Sequence, residues 1–220
     1  MNQPEVAVAS HPRGSFIVLD GPDGGGKSTQ AALLVAWLRT FGQPVVACRD
    51  PGGTPAGERI RQLLLDRGTT DLAPRAEMLL YMASRAQLVE QVIRPALRCG
   101  QHVVSDRYLL ANLVYQGYAR GLPMDEIWRV GEAATGGLLP HLTLLIDVPV
   151  EVARQRVGIP RDRMEDETDT FRAKVRAGFL EVADIVSTPV VVVDGTGDEE
   201  TVAARLRSEV TSVLGIGARS

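Results

Sequence analysis

At 220 residues, of which 45% are hydrophobic, the chain is long enough to bury one sizeable core, and a single α/β domain is expected. Its 24 basic and 27 acidic residues leave a formal net charge of -3, which gives no global basis for binding nucleic acid or an acidic membrane and confines any cationic site to a local cluster. Two cysteines (Cys48, Cys99) and three histidines (His11, His102, His141) are too few and too scattered for a disulfide framework or a zinc site; the cysteines read as buried thiols of a reducing cytosol and the histidines as packing or surface residues.

Residues 1–14 are polar, contain proline and lack the charged-then-apolar order of a signal peptide, so a disordered tail is expected there. No apolar run approaches the ~18 residues needed to cross a bilayer, which points to a soluble, cytoplasmic protein.

The first strand pattern, residues 16–20, runs into Gly21-Pro22-Asp23-Gly24-Gly25-Gly26-Lys27-Ser28, which fits G-x-x-x-x-G-K-[ST] at each fixed position. Thr29 to Thr40 follows with apolar residues at helical spacing, up to Gly42 as a cap. A strand, a glycine-rich turn and a helix in this order make a phosphate cradle: glycines bring backbone N–H groups onto phosphate oxygens, and the helix directs its positive dipole end at the same charge. Gly21 to Thr29 are therefore the candidate residues for binding a nucleoside triphosphate, with Lys27 reaching the β and γ phosphates and Ser28 ligating Mg2+. All but two of the basic residues are arginine, the exceptions being Lys27 and Lys174. A compact point charge at position 27 suits a crowded cradle where a planar guanidinium would not fit.

A second strand pattern at 44–48 precedes Arg49-Asp50-Pro51-Gly52-Gly53-Thr54, a turn that offers an arginine at the binding edge of a sheet; by itself this reads as a surface turn with an ion pair. Residues 74–98 form the longest helical pattern, from Pro74 to a stop at Gly100, with Pro95 expected to end or kink it early. Tyr81 and Arg85, four apart, share one face of that helix and can present a ring and a donor fork to one planar ligand.

The third strand pattern, 102–106, ends in Asp106-Arg107-Tyr108. A carboxylate at a strand end beside a phosphate loop is a candidate second Mg2+ contact, and Arg107 a candidate bidentate grip on a second phosphate. Asn112, Tyr115 and Gln116 then fall on one helical face. The fourth and fifth patterns, 142–148 and 189–194, carry the runs Leu142–Ile146 and Val190–Val193, which are apolar in character rather than alternating, as expected of strands covered on both faces. Between them, residues 157–169 mix both charges with glycine and proline and read as a mobile loop over a site; Arg154, Arg156, Arg161 and Arg163 in and before it form either a solvated charged face or a lid of arginines that closes on transferring phosphate. The alternation as a whole predicts a five-stranded parallel sheet flanked by helices.

In this order, GPDGGGKST, RDPGGTPAGERIR, AEMLLYMASRAQ, VVSDRY, ANLVYQG and PRDRME resemble the thymidylate kinase family over roughly residues 15–214, leaving 215–220 as a C-terminal tail. The resemblance implies the P-loop fold of nucleoside monophosphate kinases, phosphorylation of dTMP to dTDP by Mg-ATP in dTTP synthesis, and a homodimer. It implies that Tyr81 stacks on thymine, Arg85 hydrogen-bonds the base, Asn112 and Gln116 lie near the base edge, and Tyr115 crowds the sugar 2′ position. Asp23 falls near the 3′-hydroxyl and the metal, and Arg49 and Arg107 on the acceptor phosphate. Gly24 occupies the position where some members carry a catalytic arginine, so the resemblance implies the bacterial lid-arginine type, with Arg161 the first candidate. Two features depart from the family pattern: Asp50 replaces the usual glutamate, and Leu109-Leu110-Ala111-Asn112 lacks the small hydroxyl residues many members have. The residues alone leave open another deoxynucleotide or deoxynucleoside kinase, and a nucleotide-binding regulatory switch. Paired Arg49 and Arg107 argue against a nucleoside acceptor, and the missing N-K-x-D tetrad against a guanine switch.

Overall fold

The computed structural model describes residues 14–69, 71–157 and 168–217. Residues 1–13 of the expected N-terminal tail (1–14), which include His11, residues 218–220 of the expected C-terminal tail (215–220), and most of the expected lid with Arg161 and Arg163 lie outside the described residues.

Strand β1 (Phe16–Asp20) is the centre of a five-stranded sheet, between β3 (His102–Asp106) and β4 (Leu142–Asp147); β2 (Val45–Arg49) lies beyond β3 and β5 (Val190–Asp194) beyond β4. All pairings are parallel, in agreement with the expected α/β architecture, and the strands match the apolar runs to within one residue at each end. Alternate side chains of β1 enter opposite layers. Phe16 and Val18 join Met78, Met82, Tyr108 and Phe179 on one face, whereas Ile17 and Leu19 join Leu34, Leu38, Ile146 and Leu206 on the other. This two-sided cover is why the strand reads as a continuous apolar run, and each fully buried aliphatic or Phe side chain contributes about 1.5–3 kcal/mol.

Helix α1 (Lys27–Arg39) packs with α9 (Glu199–Leu214) on the second face. The first face is covered by α3 (Pro74–Leu88), which packs against α2 (Pro55–Leu65) and α6 (Met124–Thr135), and by α8 (Asp169–Ala183). Side-chain caps set several starts: Thr54 accepts from Gly57 N–H, Thr168 from Phe171 N–H and Asp198 from Thr201 N–H.

The long helix does not end at Pro95. After α3 the chain widens into a π-helical segment, Val89–Ile93, and continues as α4 (Arg94–Arg98). Arg94 N–H reaches back five residues to Val89 O, so the wider turn falls immediately before the residue that has no N–H to donate. The helix ends at Gly100, whose φ of 74° only glycine adopts without strain. A second π segment, Leu113–Ala119, follows the short helix α5 (Leu109–Asn112).

His102 Nδ1 accepts from Ser15 N–H and His141 Nδ1 from Phe16 N–H, so both histidines tie down the entry to β1. The cysteines differ from expectation. Cys48 is half-buried, with burial pushing its thiol up to about 12, but Cys99 is exposed because it sits where α4 turns out to the surface.

Candidate active site

The C-terminal ends of β1, β2 and β3 bring Asp20, Arg49 and Asp106 to one edge of the sheet, where a cleft of about 440 Å³ opens. Every described candidate from the sequence lines it except Gly21, Pro22 and Gly25. Segments up to about 130 residues apart in the chain thus meet around one space, from the loop after β1 to Arg156 on α7 (Val150–Val157).

The glycine-rich loop forms one end. Gly26, the residue before α1, has φ 86° and contributes no side-chain cap, so the first N–H groups of α1 are left to a ligand. Lys27 Nζ donates to Pro22 O at 2.7 Å, folding back over the loop. Burial and the nearby Arg107 both lower its pKa, and Asp23 acts in the opposite sense. Gly24 has φ 79°, and a Cβ there would lie 2.2 Å from Ala153 O, so α7 packs directly on the loop backbone.

Ser28 Oγ donates to Asp106 Oδ2 at 2.5 Å. A hydroxyl and a carboxylate, both oxygen donors, suit Mg2+, which takes one or two protein ligands and completes its shell with phosphate and water. Among the described residues no group of three His, Cys, Asp or Glu is placed to hold a metal.

Arg107 lies between the two ends of the cleft. Nη1 donates to Asp20 Oδ1 at 3.2 Å and to Gly21 O at 3.0 Å, while Nη2 donates to Asp23 Oδ1 at 2.5 Å and Tyr115 Oη at 3.3 Å. Tyr115 in turn donates to Asp23 Oδ2 at 2.9 Å. Burial raises the Asp23 pKa, but Arg107, Lys27 and the Tyr115 hydroxyl outweigh it and hold the carboxyl below its usual range. Asp20 has the opposite balance: fully buried, it is pushed up to about 6 by desolvation, which Arg107 only partly offsets, and its Oδ2 has no hydrogen-bond partner among the described residues.

At the far end, Arg85 is 1% exposed and donates to Asp50 Oδ2, Asn112 Oδ1 and Tyr108 O. Asp50 therefore holds Arg85, 35 positions away, a contact that its place in a turn did not suggest. Arg49 is half-exposed and pairs with Glu58 Oε2 at 2.8 Å; the other oxygen of Glu58 accepts from Gly53 N–H. Arg61, which lies in RDPGGTPAGERIR with no spacing that marks it as a site residue, also lines the cleft and donates to Pro51 O. Arg156 donates to Gly195 O and Gly197 O, joining α7 to the loop after β5.

A phosphate loop and an arginine-rich pocket thus share one cleft, and the family model described as thymidylate kinase matches residues 19–206. The chain belongs to the thymidylate kinase family. A curated thymidylate kinase of Leifsonia xyli subsp. xyli is 46% identical over 205 residues, covering 92% of this chain and 97% of that protein. One of Deinococcus radiodurans is 44% identical over 202 residues, covering 90% and 97%. Another, of Kosmotoga olearia, is 45% identical over 196 residues, covering 88% and 94%. The sheet and its flanking helices accord with the P-loop fold of this family. Among the described residues, no helix is long and apolar enough to cross a membrane.

Proposed function

We propose that this thymidylate kinase family member transfers the γ-phosphoryl group of ATP to the 5′-phosphate of dTMP, giving ADP and dTDP. The observation that carries the reading is the meeting in one cleft of a phosphate loop, ending in Lys27 and Ser28, and a pocket edged by Arg49, Arg107, Tyr81 and Arg85. The first suits a triphosphate; the second suits a planar base bearing a phosphate.

A phosphate monoester has its second pKa near 6, so at neutral pH the acceptor is already a dianionic nucleophile and needs no general base. The barrier is repulsion between two polyanions, and fixed cations lower it. Lys27 and the N–H groups at the start of α1 hold the donor phosphates. Arg107 and Arg49 hold the acceptor phosphate. Asp23 and Tyr115 orient Arg107, and Tyr115 also narrows the space around the sugar. Tyr81 stacks on the base, while Arg85 and Asn112 bond its edge. Ser28 and Asp106 would hold Mg2+, which supplies charge neutralisation for the phosphate oxygens. The lid arginines Arg161 and Arg163 supply the remaining positive charge and, on closure, exclude water as a competing acceptor. The reading carries with it a homodimer, to be checked by light scattering on the eluted protein.

Offering a panel of nucleoside monophosphates with Mg-ATP and following ADP release tests the assignment. dTMP should be turned over best. A protein that binds ATP yet transfers phosphoryl to no pyrimidine deoxynucleotide would refute it.

A further inference from the structure

A line of buried polar side chains leads from the cleft into the helical layer. Arg85 Nη2 donates to Asn112 Oδ1 at 2.5 Å, Asn112 Nδ2 to Gln116 Oε1 at 2.9 Å, and Gln116 Nε2 to Glu77 Oε1 at 2.8 Å. No member is more than 2% exposed. Arg120 Nη1 stands 3.6 Å from the second oxygen of Glu77. Glu77 itself does not line the cleft, whereas the other three do.

The two ends of this line are chemically opposite. A guanidinium only donates, and a carboxylate only accepts. Each amide between them has the same shape either way round, but a reversed amide would set donor against donor or acceptor against acceptor at its neighbours. Only one direction satisfies the whole line, with both amide oxygens toward Arg85 and both NH2 groups toward Glu77. The amide oxygens are thereby engaged within the line, while each NH2 keeps one hydrogen beyond it. The hydrogens left to the two amides can therefore only donate to what lies beside them. A 2,4-dioxopyrimidine presents an acceptor oxygen at position 4 beside a donor N3–H, whereas a 4-aminopyrimidine presents the reverse, a donor at position 4 beside an acceptor N3. A donor held against position 4 favours the first and leaves the second with unpaired buried polar groups there.

Resting on the base-reading roles given above, we propose that Glu77 is a positioning residue: through Gln116 it fixes the direction of the amide line and gives the cleft its preference for 4-oxo over 4-amino pyrimidine nucleotides.

The test measures kcat and KM for dTMP, dUMP, dCMP and ATP in the wild type, Glu77→Met and Glu77→Gln. Met removes the acceptor. Gln keeps size and shape, but its oxygen is drawn to Arg120 and its NH2 is left against that of Gln116. In both variants the dUMP-to-dCMP ratio of kcat/KM should fall about tenfold and the dTMP KM should rise about tenfold, with kcat within about threefold and the ATP KM within about twofold. If Glu77→Met does not fold, the near-isosteric Glu77→Gln carries the test alone. An unchanged ratio in the folded variant, or an ATP KM that rises in step with that for dTMP, overturns the proposal. A wild type that fails to phosphorylate dTMP defeats the functional reading instead; a wild type that does so beside variants of unaltered ratio defeats only the role of Glu77.

Discussion

Arg107 reaches Asp23 at 2.5 Å from a backbone held at φ 72°, the one positive φ outside glycine among the described residues. A non-glycine residue in that region costs on the order of 1–3 kcal/mol and persists when its surroundings over-determine it. Here Asp20, Gly21 O and Tyr115 supply the further contacts that do so.

Replacing Arg107 by lysine keeps the charge but not the fork that serves Asp20 and Asp23 together. Arg107→Lys is expected to lower dTMP turnover by about 10²–10³ with ATP affinity little changed, as seen by steady-state assay and nucleotide titration. Turnover within a few-fold of wild type would mean that a point charge suffices.

Asp20 gives the protein a defined pH dependence. Its pKa is about 6 in the folded state against an ordinary value of 3.8, so between those values the folded protein holds a proton that the unfolded chain has released. Stability from this group is therefore complete below about pH 4 and lost as pH rises through about 6. Asp20→Asn does not titrate, so the Tm difference, variant minus wild type, should grow across that window in melts recorded in EDTA. Parallel curves for the two proteins would contradict the assignment.

Gly24 occupies the loop position where some family members are expected to carry an arginine. Its φ of 79° and the 2.2 Å approach of a Cβ to Ala153 O leave no room for a side chain unless α7 moves. Gly24→Arg should therefore lower Tm and reduce turnover by tenfold or more rather than install a second catalytic arginine. Normal stability with raised turnover would show that α7 yields easily.

Arg161→Ala should cut turnover by roughly 10³ with ATP binding retained. Arg156→Ala, which releases α7 from the carbonyls of Gly195 and Gly197, should instead act mainly on the ATP KM, by about tenfold. Kinetics on Arg156, Arg161 and Arg163 variants check this assignment, and three near-normal turnovers would dismiss the lid arginines.

The strands were legible because burial on both faces of a parallel sheet demands unbroken apolar runs, and the phosphate loop because only glycine suits its turns and only a short list of residues its ligands. The π-helical segment before Pro95 was not legible. Proline's missing N–H predicts a break, and whether the chain stops or widens depends on the core around Val89 and Ile93, both fully buried. Cys99 misled for a related reason, since cysteine's general tendency toward burial says nothing about which side of a helix end faces water.

By itself, the order of residues determined the α/β class, the cradle at Gly21 to Ser28 and the family, because these rest on local spacing and backbone chemistry. Tertiary structure alone decided the partners: Asp50 for Arg85, Asp20 and Asp23 for Arg107, Glu77 for Gln116, and Ala153 against Gly24. Such pairings join residues 35 to 129 positions apart, and they exist only once packing has removed water and left each buried donor or acceptor to be satisfied by whichever group the fold brings beside it.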